Sequence, residues 1–131
     1  MTTVSFEGCE SWPIDNEVIE LVVGLERYDL HNDADLLEFS TNSVGETATV
    51  RMAFRARPLT IGHEANCQLL VVEFARVKDL NLEVHVAVPH EAGLFLSFEY
   101  LGGRALGLAT DCLDAHFEAE RVLVRLEPLA P

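Results

Sequence analysis

Apolar and polar side chains alternate along Thr47–Arg55, with Val50, Met52 and Phe54 on one side and Arg51 and Arg55 on the other. A two-residue period is the signature of a half-buried β-strand. The pattern recurs down the chain. In Cys67–Val77, Leu70, Val72 and Phe74 share one face, and Leu69, Val71, Glu73, Ala75 and Val77 the other. Its apolar start predicts a central strand, wet on one side only at its end. In Leu80–Val88, Leu80, Leu82, Val84, Val86 and Val88 alternate with Asn81, Glu83, His85 and Ala87. That predicts a second strand with the leucines and valines facing the core, after a turn at Asp79. Gly93–Tyr100 and Arg104–Thr110 flank Gly102-Gly103, which reads as a hairpin because glycine accepts positive φ. Val122, Val124 and Leu126 against Arg121, Arg125 and Glu127 give a closing strand.

The first third reads less clearly. Asp15 or Asn16 suits the cap of a short helix, with Val18, Ile19 and Val22 as its buried stripe. The β-branched residues and Gly24 support a strand at Val18–Leu25 equally well. A strand over Leu36–Ser40 is expected after an acidic turn at His31–Asp35. Together these predict a mainly β (or α+β) domain, an antiparallel sheet in a sandwich or half-barrel with at most one or two short helices. With 131 residues the chain is expected to be one domain, 1–131. A chain of this size buries about two-thirds of its unfolded surface, enough for one core without disulfides or metal.

Charge narrows the function. The net charge is −13. Residues 1–46 contain Arg27 as their one base against eleven acids; residues 47–131 hold eleven acids and eight bases. Direct binding to nucleic acid or to an anionic membrane is disfavoured, because both depend on Lys and Arg. A basic protein partner is the natural complement. The start of the chain has no basic, then apolar, leader pattern, and no apolar run approaches a membrane span, so a cytoplasmic location is expected. Cys9, Cys67 and Cys112 are odd in number and widely spaced, as reduced thiols would be.

Motifs for chemistry are missing where they would matter. Asp29-x-His31-x-Asp33-x-Asp35 resembles the start of a calcium loop, but has no glycine at the sixth position and Ser40 at the twelfth. It is expected to be a polar turn without metal. His31, His63, His85, His90 and His116 show no metal-pair spacing, and no nucleophile elbow or phosphate loop is present. No enzymatic activity and no cofactor are expected. Trp12 lies among acids in Glu10-Ser-Trp-Pro-Ile-Asp15, the setting of a core anchor or of an interface hot spot. The residues expected to bind the partner are Glu10, Trp12, Asp15, Glu17, Asp29, Asp33 and Asp35.

The run Asp29-Leu-His-Asn-Asp-Ala-Asp-Leu-Leu-Glu-Phe39, then Val50–Phe54 and Phe74-Ala-Arg-Val77-Lys-Asp-Leu80, resembles small immunity proteins of bacterial polymorphic toxin systems. The resemblance spans roughly residues 12–88 and rests on strand and turn residues. It implies an acidic, non-enzymatic protein that covers a basic toxin or nuclease domain. Two other readings fit an acidic β protein. One is a phage or plasmid DNA mimic that inhibits a nuclease complex. The other is a structural or oligomerising module, a possible homodimer paired through the Leu80–Val88 edge.

Overall fold

The computed structural model describes residues 4–8, 20–23, 26–29, 34–57, 68–84, 95–110 and 113–128. Strands dominate: β1 (Ser5–Glu7), β2 (Glu20–Val23), β3 (Glu26–Asp29), β4 (Ala34–Val44), β5 (Thr47–Ala56), β6 (Gln68–Val84), β7 (Phe95–Gly102), β8 (Ala105–Thr110), β9 (Leu113–Glu118) and β10 (Arg121–Glu127). No helix occurs among the described residues, and the curled sheet is a half-barrel. The sequence leaves Val18–Leu25 open between helix and strand. Its described part, with the residues after it, forms the β2–β3 hairpin.

β6 is the spine. Its first half pairs antiparallel with β5 through Gln68–Val77 and with β10 through Leu69–Ala75. Its second half, Lys78–Val84, pairs with β9. β8 and then β7 extend the sheet beyond β9, while β4 lies beyond β5 and β1 runs parallel to β10. Two lobes thus share one strand: β4–β5–β6–β10–β1, and β6–β9–β8–β7. Lys78 faces Glu118 and Ala75 faces Arg121, so β9 and β10 form nearly one ladder along β6, interrupted only at Ala119–Glu120.

The strand bends where the lobes meet. Arg76 and Asp79 both have φ of 55°, a left-handed conformation uncommon for residues with a side chain. Register slips between Lys78 and Asn81 mark a bulge there. This corrects the expected turn at Asp79: a bulge bends the strand without ending it, and Leu80–Val84 continues β6. Leu82 is also corrected. It stands opposite the buried Ala115 but is 41% exposed, because β6 has run past the last pair it makes with β5, Val77 with Ala48. Residues 85–88 lie outside the described residues. β4 already begins at Ala34, so Ala34 and Asp35 belong to a strand and not to the expected acidic turn; His31–Asp33 lie outside the described residues.

The core follows the alternation. Val50, Met52 and Phe54 of β5, Leu70, Val72 and Phe74 of β6, and Val122 and Val124 of β10 face Leu106, Leu108, Ala115 and Phe117 of the second lobe. Phe74 and Phe117 meet edge to face across the lobes, ring centroids 5.0 Å apart at 76°. Leu21 and Tyr28, directly paired across the β2–β3 hairpin, are fully buried in the same cluster, so the hairpin packs on the core. Val71 and Ala53 are buried on the opposite face, so β6 begins as a strand covered on both sides, as its apolar start predicts. At the Gly102-Gly103 hairpin both glycines have positive φ, and the chain reverses through Gly103-Arg104.

Candidate functional site

The two lobes present different outer surfaces. On the first, cations and carboxylates alternate across the strands and neutralise one another. Arg51 contacts Glu38 and Glu73, each at 3.3 Å. Arg125 holds Glu73 and also Glu127, the latter at 2.7 Å. Arg121 makes a two-point contact to Glu7 from Nε and Nη2, at 2.7 and 3.2 Å. Exposed pairs of this kind contribute little singly, but the shared Glu73 links Arg51 and Arg125 into a network. The contacts raise the Arg125 guanidinium pKa, with the Glu73 hydrogen bond as the largest cause.

The second lobe has few cations. Cross-strand pairing aligns Glu99, Gly107, His116 and Asn81 in one row. The next row holds Ala109, Asp114 and Glu83, and the row on the other side holds Ala105, Glu118 and Lys78. Directly opposite residues share a face, so β8 contributes only small residues there, between taller walls from β7 and β9. The result is a groove of about 200 Å³ lined by Glu99, Gly107, Leu108, Ala109, Asp114 and His116. The His116 ring lies against Gly107, whose missing side chain makes room for it. Thr110 fixes the β8–β9 connection: its hydroxyl accepts from the Leu113 N–H at 3.1 Å and donates to the Leu113 carbonyl at 3.4 Å. That staple places Asp114 and His116 on the wall of the groove.

Glu83, Glu99 and Glu118 are exposed beside the half-buried Asp114. Lys78 is the cation of that face, standing opposite Glu118. Such carboxylates accept charge-assisted hydrogen bonds from Lys or Arg. Among the described residues no group of three His, Cys, Asp or Glu side chains is placed to hold a metal ion.

Of the partner-binding residues expected from the sequence, the structure describes two. Glu10, Trp12, Asp15, Glu17 and Asp33 lie outside the described residues. Asp29 ends β3 and Asp35 is exposed near the start of β4, opposite Arg55. The acidic face of the second lobe escaped the sequence reading because residues 47–131 look nearly balanced when charges are summed along the chain. The balance is spatial segregation: Arg51, Arg55, Arg121 and Arg125 belong to the other lobe. A strand-by-strand count of outward residues, with Gly107 and Ala109 read as a depression, was the available signal.

Comparison with protein-family models, with curated proteins and with solved structures found no match. No described helix is long and apolar enough to cross a membrane.

Proposed function

We propose that this chain is an acidic binding protein that neutralises a basic protein, such as a toxin or nuclease domain, by covering it, and that it carries no catalysis of its own. The observation that supports this reading is the segregation of charge. Arg51, Arg121 and Arg125 are engaged by carboxylates of their own lobe, while Glu99 and Asp114 line an open groove on the other, with Glu83 and Glu118 exposed on the same lobe. A net charge of −13 steers a cationic partner toward that surface, and opposite fields raise association rates by orders of magnitude at low salt. The immunity-protein class fits such a molecule, with a cytoplasmic location.

The test begins with the gene's neighbours. A gene next to this one that encodes a long protein with a basic, variable C-terminal domain supplies the partner. Co-expression of the chain should then protect cells from that domain. Binding should slow sharply between 50 and 500 mM salt. Absence of protection, or an association rate indifferent to salt, refutes the reading.

A further inference from the structure

In so acidic a chain, one place gathers cations. Arg76 and Lys78 lie on the bend of β6, and Arg104 lies in the β7–β8 turn; the charges of all three act on Glu120. Backbone bonds hold them together: Glu120 N–H donates to the Ala75 carbonyl and Ala119 N–H to the Arg104 carbonyl, each at 3.1 Å. The Glu120 carbonyl accepts from Ser5 N–H at 3.0 Å. The Arg76 Nε–H donates to the Glu120 carboxylate at 2.6 Å. That bond is the largest cause holding the Glu120 carboxyl below its ordinary value, with Arg104 and Lys78 adding their charge.

Glu120 answers one of these cations. Lys78 and Arg104 make no ion pair within 4 Å among the described residues, and the Arg104 Nε–H is shielded from water with no acceptor. A buried donor without a partner calls for an explanation, commonly an ion or water at the site. Arg76 is also held in the left-handed conformation that aims it at this corner, and such strain concentrates at binding sites. Three cations against Glu120 and against Glu118, which stands opposite Lys78, leave one positive charge. We propose that Arg76, Lys78 and Arg104 bind a phosphate ion, whose several oxygens suit two guanidinium forks and an ammonium group. None of the three cations lines the acidic groove, so failure here leaves the proposed function standing.

The probe is inorganic phosphate, titrated at pH 7.5 into the isotope-labelled protein and followed by amide and arginine Nε–H resonances, with chloride at matched ionic strength as the control. Saturable shifts are expected at Arg76, Lys78, Arg104 and Glu120. Arg104→Gln should weaken binding about tenfold, the loss of one charged hydrogen bond. Glu120→Gln should tighten it about as much, because the internal competitor is gone. If Arg104→Gln fails to fold, the exposed Lys78→Gln gives the same reading. Shifts that chloride reproduces, that never saturate, or that Glu120→Gln leaves unchanged would overturn the site and assign the Arg104 donor to water.

Discussion

The imidazole of His116 lies across Gly107, its Cδ2 3.2 Å from the point where a side chain would begin. A methyl group there asks the exposed ring to yield by a few tenths of an ångström. Gly107→Ala also removes the entropic penalty of glycine in a strand, roughly 0.5–1 kcal/mol. The two effects offset, and urea unfolding should find this variant within about 1 kcal/mol of the parent. Gly107→Leu should keep the fold and fill the groove, lowering affinity for the basic partner with little change in stability.

Gly8 is the opposite case. Its φ is +88°, and a Cβ would stand 1.8 Å from the Val124 carbonyl oxygen, a backbone atom that cannot swing aside. Gly8→Ala should therefore cost more than about 2 kcal/mol, combining left-handed strain with displacement of β1 from β10. Hydrogen exchange should show the Ser5 amide losing protection first.

Phe74 is fully buried and joins the two lobes through Phe117. Phe74→Ala should destabilise by about 3–5 kcal/mol. A double-mutant cycle with Phe117→Leu should return a coupling of about 0.5–1.5 kcal/mol for the edge-to-face contact.

Acid should loosen β1. The Arg121 hydrogen bond holds the Glu7 carboxyl below its ordinary 4.5, opposed by desolvation and helped by the Arg121 charge. A depressed carboxyl pKa contributes stability that is fully present above the unfolded value and is lost as pH falls through the folded one. The stability difference between the parent and Glu7→Gln should thus be constant near neutrality, shrink below pH 4.5 and vanish once Glu7 is protonated. Denaturant unfolding across pH 2–7 checks the sign.

Two sets of carboxylates compete for the interface. Neutralising Glu83, Glu99, Asp114 and Glu118 together, as Gln or Asn, should slow association with the basic partner at least tenfold at low salt and change dissociation less. Asp29, Asp33 and Asp35 changed to Asn should have the smaller effect if the groove is the docking surface. Stopped-flow rates rank the two directly.

The strands were legible in the sequence wherever one face is buried and the other wet. Val50, Met52 and Phe54 announce β5, and Val122 and Val124 announce β10. The hairpin at Gly102-Gly103 was legible through backbone chemistry, one residue from where the chain reverses. The bend at Arg76 and Asp79 was not, because neither residue favours a left-handed φ as glycine does and tertiary pairing imposes it. Leu82 misled for a related reason: alternation says which side a residue faces, but not whether another strand reaches far enough to cover it. The site was hidden most thoroughly, since the groove is made by registers that bring Glu99, Gly107 and His116 into line from three separate strands.

The parallel pairing of β1 with β10 has a consequence for how the protein is made. Of the described strands, β1 leaves the ribosome first and its partner last. Val4 and Phe6 must wait, exposed, while the rest of the sheet is synthesised. Among the described ladders, the one with the longest reach along the chain therefore cannot form until its second strand is made, a slow step by loop-closure entropy. Until then the core lacks one wall, and a translating chain is open to proteases and chaperones at the seam that Glu7 and Arg121 later fasten.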